Sequence, residues 1–477
     1  MPPCSTVIVS LEGHPFTPRW SAVMTQAQRN KSTEFQDKTF NKTGLVELPF
    51  EGIAGRFANS VLPLSDKKLL LLFNAPPSEN SPTKVARLNE DGSLDLQFGP
   101  GGTVDVPFKD GSSFSARHLR PSENGGWLIT GTVEHSDGKV DLAVVRQLQN
   151  GELDSTFGVD KDGKVTLNVY DLIDSRANPG ASFVTRRHDE KKAEKSSVSA
   201  GDVGIVAVGQ QDGKIVLVST VMFAFDYLRG IVVRLNTDGS LDKTLNGKGF
   251  VLVELPGINH NWNYAYGVAV QQDGKVLVCG DFSREASGER PDAYVIRYHQ
   301  DGSVDESYGD DKIGVVTITD SSRWLDLVSM ALKADGGVVA VGAAEAEGLR
   351  EGLVVSLNVS GSFNLVFNNG KPLFSNFTEH GVSWRRCVLQ ADGKLVVSGQ
   401  GGDAFLDENS SVTTARYTSD GSLDVTFAGK GWVDRNDEKG IDLFRGCAVM
   451  ADNRIVICGY LISIPEPTTG FVVRYLA

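Results

Sequence analysis

The chain is short of cysteine, proline, positive charge and long apolar runs, and each shortage removes a class of protein. Five cysteines stand in 477 residues, at Cys4, Cys279, Cys387, Cys447 and Cys458. The count is odd and no pair has C-x-x-C spacing, so the sequence offers neither a disulfide framework nor a zinc site. Proline is scarce at 18 against 52 Gly, a globular balance enriched in turn formers. No apolar run approaches the roughly 18 residues of a membrane-spanning helix. Lys and Arg number 47 against 60 Asp and Glu, a net charge of −13. With no basic block to offset that charge, binding to nucleic acid or to an anionic membrane surface is disfavoured. The opening "MPPCSTVIVSLEGHPFTPRW" has no basic segment followed by an apolar one, so no secretory signal is read and the cellular location stays open. Residues 1–34 are expected to be a poorly ordered extension, with Met24 as an alternative start. G-x-S-x-G, H-E-x-x-H and P-loop motifs are missing too.

What is present is repetition. "VARLNEDGSLDLQFGPGGTVDV" from Val85 returns as "VVRLNTDGSLDKTLNGKGFVLV" from Val232 and "TARYTSDGSLDVTFAGKGWVD" from Thr414. A second line precedes each copy, as in "QQDGKVLVCG" and "QADGKLVVSG". The acidic position after "L" falls at Asp95, Asp154, Asp242, Asp305, Asn364 and Asp424, giving steps of 59, 88, 63, 59 and 60 residues. The long step holds an insertion around 174–201. Each unit contains four short β-type stretches, such as "YGVAV", "KVLVCG", "AYVIRYH" and "GVVTI", punctuated by Asp-Gly and Asn-Gly pairs that suit tight turns. Four strands per unit of about 60 residues, repeated about seven times, predict an all-β, seven-bladed β-propeller. A β-helix has shorter coils without hairpin turns, and separate sandwiches need larger units.

The lines "RLNEDGSLDLQFGPGG" and "RLNTDGSLDKTLNGKG" resemble the bacterial delta-60 repeat, a family of uncharacterised β-propeller repeats. The resemblance runs from about Phe35 to the C-terminus. It implies a fold and brings no activity, cofactor or catalytic motif with it.

The last repeat stops at "FVVRYLA" with three strands, while the chain opens with the tail of a unit, "FQDKTFNKTGLVELPF" from Phe35. The orphan strand in that tail is expected to complete the last blade and leave no open edge. The blades then run at about 51–108, 109–170, 171–255, 256–319, 320–375 and 376–434, with 435–477 plus 35–50 as the seventh, in a single domain over 35–477.

The repeats also align the chain with itself. Arg87, Arg146, Arg234, Arg297 and Arg416 each stand eight residues before Asp95, Asp154, Asp242, Asp305 and Asp424. Arg474 is expected to find Asp37 across the closure. Ser356 and Asn364 replace both partners in blade 5, as expected of one ion pair lost together. Removing a single partner would leave a buried charge costing about 3–5 kcal/mol. The recurrence of these carboxylates speaks for structure and against catalysis. An aromatic column, Phe40, Phe98, Phe157, Tyr308, Phe367 and Phe427, reads as inter-blade packing.

Ligand-binding residues are expected where the repeats diverge, on the face formed by the inter-blade connections, opposite the repeated "DGK" and "DGSLD" turns. Arg117, Arg385 and Arg445 form one column on innermost strands, with Arg56, Arg323 and Arg386 near in register. At the channel mouth they would take an anion or a carboxylate; the competing reading pairs them with Asp326, Glu379 or Asp442. The stretch "PGINHNWNYAYG" reads as a rim loop in which His260, Trp262, Tyr264 and Tyr266 offer stacking surfaces to a sugar or a protein, or else pack on the next blade. His118 aligns with Arg386, and with His188, His260 and His380 it would be the material of a metal site near the mouth. The other histidines, His14, His135 and His299, are far apart in sequence. The string "DKDGKV" from Asp160 lacks the distal Glu of a calcium loop. No catalytic residue, metal or cofactor is assigned. The function read from the sequence is a monomeric, non-enzymatic binding or scaffold propeller that presents its variable face to a protein or glycan. The alternative is a propeller hydrolase or lyase acting on an anionic sugar or lactone at the channel mouth.

Overall fold

The Asp-Gly turns set the spacing of the fold. Gly92 holds φ 84°, a region that L side chains rarely adopt, and a Cβ there would lie 2.9 Å from the Phe40 ring of the neighbouring blade. The glycine therefore closes its own hairpin and lets the adjacent aromatic column pack against it. Gly421 does the same on Phe367, at 3.3 Å. In the computed structural model the described residues are 31–477, except 77–78, 80, 109–112, 124, 136–137, 185–205, 210–211, 225–226, 285–289, 377, 379, 403–409, 438–439 and 464–467.

Seven antiparallel sheets form a β-propeller, and a strand from the start of the chain completes the last one. Blade 1 is Phe57–Pro63, Leu69–Asn74, Thr83–Leu88 and Thr103–Val106, from the innermost strand outwards. Blade 4 is His260–Val270, Val276–Arg284, Asp292–Tyr298 and Val315–Ile318. Blade 7 takes Gly440–Val449, Ile455–Ser463 and Thr469–Tyr475 from the C-terminus, and Leu45–Leu48 as its outer strand. Leu45 faces Val473 and Leu48 faces Gly470. Among the described residues no helix is long and apolar enough to cross a membrane.

The core lies between the blades. Val216, Val218 and Val232 of blade 3 pack on Val278, Tyr294 and Ile296 of blade 4 in one cluster. Each fully buried side chain of this size stabilises by about 1.5–3 kcal/mol. At the closure, Phe40, Val46 and Leu48 pack in one cluster with Leu69, Leu71 and Phe73 of blade 1.

One irregularity recurs. The innermost strands of blades 1, 2, 4, 5, 6 and 7 each carry a register shift halfway along, leaving Asn59, Arg117, Tyr266, Val328, Arg385 and Arg445 as the extra residue. Blade 3 breaks at the same level. Its innermost position is split between Ser182–Phe183 and Val206–Gly209, and Phe183 pairs with Val221 while Val206 pairs with Val218. The insertion read from the long repeat step leaves the sheet after Val184, and its stretch 185–201 lies outside the described residues.

Candidate functional site

Six of the seven repeats build a charged cluster at the face of the repeated turns. The third-strand arginine donates from Nε to the aspartate eight residues on: Arg87 to Asp95 at 2.6 Å, Arg146 to Asp154 at 2.7 Å and Arg234 to Asp242 at 2.6 Å. Arg297–Asp305 and Arg416–Asp424 are both 2.8 Å, and Arg474 reaches Asp37 across the closure at 2.8 Å. A second cation comes from the "DGK" turn. Lys68, Lys214, Lys275 and Lys394 lie 2.8–3.2 Å from Asp95, Asp242, Asp305 and Asp424, and Arg454 lies 3.1 Å from Asp37. The same carboxylates cap the following turn, as Asp154 does by accepting from the Thr156 N–H at 2.9 Å.

These interactions shape the acids. The Lys68 ammonium, with the Arg87 guanidinium, holds Asp95 down at about 2. Burial pushes Asp424 up, but hydrogen bonds from Thr426 and Lys394 and the Arg416 charge outweigh it and hold the carboxyl at about 2. The arginines also reach across to the next blade. Nη1 of Arg146, Arg234 and Arg474 donates to the carbonyls of Thr237, Gln300 and Glu90, each at 2.6 Å, and Arg297 does so to Val359 at 2.5 Å. Their guanidinium faces stack on the aromatic column: Arg146 lies 4.5 Å from the Phe157 ring centroid and Arg297 lies 4.4 Å from that of Tyr308. One side chain thus fastens a turn, a ring and the neighbouring blade.

Blade 5 lacks all three charges. Gly337 stands at the lysine position, Ser356 at the arginine and Asn364 at the aspartate. Asn364 keeps the capping duty, accepting from the Val366 N–H at 3.0 Å, and its amide lies 3.5 Å from Ser356 Oγ. The short side chains leave the rest of the space open. A cleft of about 1030 Å³ lies there, lined by Ser356, Asn364 and Phe367 of blade 5, by Gln271 of blade 4 and by Gln390 and Ser419 of blade 6. Ser419 sits three residues after Arg416, as Thr237 sits three after Arg234, so its carbonyl is the counterpart of those reached by arginines elsewhere. Gln271 and Gln390 are buried, and among the described residues their Oε1 atoms accept no hydrogen bond. The cleft therefore offers an aromatic edge beside hydroxyl, amide and free acceptor groups, with Asp273 and Asp335 also in its lining.

The residues singled out from the sequence lie elsewhere. Arg117, Arg385 and Arg445 are the extra residues of three bulges, halfway down the innermost strands and not at the mouth. Arg445 donates to Tyr460 Oη at 2.6 Å and lies 5.1 Å from its ring centroid. Of the acids weighed as their partners, Asp442 pairs with Arg435, and Asp326 accepts from the Ala343 N–H at 2.7 Å. Glu379 lies outside the described residues. Arg323 pairs with Glu351 at 2.7 Å, and Arg56 pairs with Glu79 at 2.9 Å.

The stretch read as a rim loop is mostly strand. Residues His260–Val270 form the innermost strand of blade 4, and only 256–259 connect the blades. Tyr264 and Tyr266 are buried and stacked on each other at 5.5 Å, with the half-buried Trp262 edge-on to Tyr264 at 5.4 Å. His260 is buried as well, held by Ile258 O and Asn263 Nδ2, both at 2.9 Å. Trp262, Tyr264 and Tyr266 pack in a small cluster with Leu228 and Val184 of blade 3.

His118 does meet Arg386. Its Nδ1 lies 2.9 Å from Arg386 Nη2, a buried contact from blade 2 to blade 6. Elsewhere His135 pairs with Asp141 at 2.9 Å and His299 lies 3.6 Å from Asp305. His14 and His188 lie outside the described residues. Among the described residues no group of three or more His, Cys, Asp or Glu is placed to hold a metal ion.

The cleft was missed, yet its signal was in the sequence. Arg and Asp vanish together at Ser356 and Asn364, and that was read only as the loss of a fastener. A bulky fastener that vanishes without a bulky replacement leaves its volume behind. Gly337, where four repeats carry Lys, was the third sign.

The chain is similar in architecture to several solved propellers at low identity. Virginiamycin B lyase from Staphylococcus aureus is 11% identical, with 91% of this chain and 99% of that one covered, at a TM-score of 0.44. Sqt1 from Chaetomium thermophilum, in a structure bound to the N-terminus of ribosomal protein L10, is 14% identical over 90% of this chain and 98% of that one, with a TM-score of 0.39. The polysaccharide lyase Uly1 is 9% identical over 90% and 94%, with a TM-score of 0.45. At these values the likenesses carry no activity to this chain. No curated protein matches it. The stretches 79–98, 123–157, 210–245, 271–308 and 390–427 match the family model "Domain of unknown function (DUF5122) beta-propeller", a likeness that supports an uncharacterised propeller repeat.

Proposed function

We propose that the chain is a monomeric, non-enzymatic binding propeller for a glycan or a protein, built from repeats of the delta-60 kind. The expected docking place moves from the variable face to the blade 5 cleft. The observation that supports this reading is the coincidence of a cleft of about 1030 Å³ with the one blade that has lost all three repeat charges. That volume stands at the upper limit of sites that enclose small ligands, about 300–1,000 Å³. Phe367 supplies a ring for the apolar face of a sugar or an aliphatic side chain. Ser356, Asn364, Gln271 and Gln390 supply directional hydrogen bonds around it. The variable face and the channel mouth remain the place for the second reading, a hydrolase or lyase on an anionic sugar or lactone. Arg120 and Arg386, which line a cavity among the innermost strands, are the observation that favours that reading.

The test restores what blade 5 lost. S356R/N364D puts the repeat's own ion pair into the cleft and blocks the space beside Phe367. Labelled wild type and double variant are applied to a glycan array and to cross-linking with cell extract, with each partner identified by mass spectrometry. The expected result is a set of wild-type glycan or protein partners that the double variant loses while its melt is unchanged or higher. Partners kept by the double variant would move the site off the cleft, and no partner in either assay would sink the binding function.

A further inference from the structure

A second cavity lies inside the ring. It has a volume of about 220 Å³ and sits among the innermost strands, lined by Arg120 of blade 2, Tyr266 of blade 4, Ser329 of blade 5, Arg386 and Cys387 of blade 6 and Cys447 of blade 7. Arg120 is unusual in its column: the residues two after the bulge partner in blades 1, 4, 5, 6 and 7 are Leu62, Ala269, Ala331, Val388 and Ala448. The arginine is therefore no part of the repeat's structural grammar. Arg386 joins it from the other side of the ring, tied to His118 at 2.9 Å. A guanidinium only donates, so at this contact His118 accepts through an unprotonated ring nitrogen.

Nothing on the cavity wall neutralises Arg120. Its recorded hydrogen bond is to Leu119 O, its own neighbour in the chain, at 3.5 Å. No Asp or Glu lines the cavity among the described residues. Two thiols do, but burial pushes Cys387 up to about 12 and Cys447 up to about 11, so both stay neutral near pH 7. Burial, with the like charge of Arg386, pushes Arg120 itself down to about 10. At neutral pH it still carries its full charge. A cation held in an enclosed space without a counter-charge is a strong pull on an anion. Hydroxyls of Ser329 and Tyr266 stand on the same wall as further donors. A water takes about 30 Å³ in the liquid, so the space suits a small oxyanion with a few waters and excludes an oligosaccharide.

We propose that the mid-channel cavity is a binding site for a small oxyanion of the phosphate class, gripped by the Arg120 and Arg386 guanidinium groups. Arg120 supplies the planar fork that pairs with two oxygens at once, and Arg386 closes from the opposite side.

The test uses the full chain, inorganic phosphate as probe and sodium chloride at matched ionic strength as control. Phosphate is expected to raise the wild-type melting temperature along a saturating curve, the mark of a ligand that binds only the folded state. Isothermal titration should give one site. Arg120→Met keeps the length of the stem and removes the charge. In chloride this variant is expected to melt at or above wild type, because a half-buried cation without a counter-charge on the cavity wall has gone. In phosphate the order is expected to reverse, because the variant gains nothing. A merely structural arginine predicts the opposite in chloride, with the variant below wild type by the same margin in both buffers, and that result overturns the site. A wild type that responds to chloride as it does to phosphate, or that shows neither heat nor a saturating shift with phosphate, overturns it too. Should the methionine variant not fold, Arg120→Lys takes its place: the charge without the fork is expected to bind at least tenfold more weakly, and equal affinity counts against the pairing described.

Discussion

Blade 7 and blade 5 are built from the same repeat and end in opposite states. Blade 7 is assembled from the two ends of the chain and carries the densest fastening in the ring. Arg474 is fully buried and donates to Asp37, to Thr39 Oγ1 at 3.1 Å and to Glu90 O, while Arg454 holds Asp37 and Glu90 at 3.1 and 2.9 Å. Blade 5, covalently continuous on both sides, has none of these charges and opens a cleft. The contrast teaches what the cluster is for. At the seam Arg474 makes the same three kinds of bond that Arg146 and Arg234 make elsewhere, and Arg454 adds a second guanidinium that ties Asp37 to Glu90 of blade 1. Where continuity already holds the blades, the fastener is dispensable and its space becomes available for something else.

The largest effect is expected at the seam. Deleting residues 1–50 removes Phe40, Val46 and Leu48 from the cluster shared with blade 1. At about 2 kcal/mol each, the loss is on the order of 6 kcal/mol before the ion pair is counted. The cooperative melt should fall steeply or disappear, whereas deleting residues 1–30 should leave it in place. Equal effects of the two deletions would break the comparison, because the closing strand would then have no special standing. Next in size is Arg474→Met, which removes the bonds to Asp37, Thr39 and Glu90 O and leaves Arg454 as the remaining cation on Asp37. A cost of about 1.5–3 kcal/mol is expected in urea unfolding, clearly more than any change at Ser356.

The ring was legible in the sequence and the cleft was not. Turn pairs, strand count and the orphan tail at Phe35 are local or periodic signals, and Leu45 facing Val473 is where they lead. The Arg–Asp pairs were also legible, because eight residues span one hairpin-like turn in every unit. The lysine partners were hidden by distance: Lys68 and Asp95 are 27 residues apart and meet only through strand pairing. The bulges were invisible for a related reason. A register shift at Arg117 depends on what the adjacent strand presents at Gly131 and Thr130, not on the identity of Arg117. The segment from His260 to Tyr266 was misread because Pro, Gly and Asn at 256–263 look like a loop. The strand instead starts at His260, where pairing with Arg284 extends it to the edge of the sheet.

Acid separates the blades more gently. Asp95 and Asp424 titrate at about 2 in the fold, against about 3.9 for a free carboxyl. Their folded values are depressed, so the stability they contribute is complete above about pH 4–5 and is lost as pH falls through about 2. Blade 5 has Asn364 in place of this carboxylate. Chemical unfolding between pH 5 and 2 should therefore show a steady loss of stability that Asp424→Asn flattens. Hydrogen exchange should show the blade 5 strand Val338–Ala346 changing less over that range than Leu395–Gly401 of blade 6. Uniform loss across both would blur the comparison.

The smallest effect is the most discriminating. If blade 5 differs from its neighbours only by the missing pair, putting the pair back should follow a fixed pattern. Ser356→Arg alone places a cation beside Asn364, which cannot answer it. Asn364→Asp alone places a carboxylate beside Ser356, with Gly337 where a lysine would stand. Each single variant should therefore melt slightly below wild type. Together they recreate the arrangement of Arg416 and Asp424, with the Ser419 carbonyl and the Phe367 ring in place to receive the guanidinium. The double variant should recover what the singles lose, with a favourable coupling of about 1–3 kcal/mol in the double-mutant cycle. Its net gain over wild type should stay below about 1 kcal/mol, because the new charges are desolvated as they pair. Additive single effects, with no coupling, would mean that the blade 5 backbone has moved away from the repeat geometry. In that case the cleft belongs to a reshaped blade and not to a missing side chain.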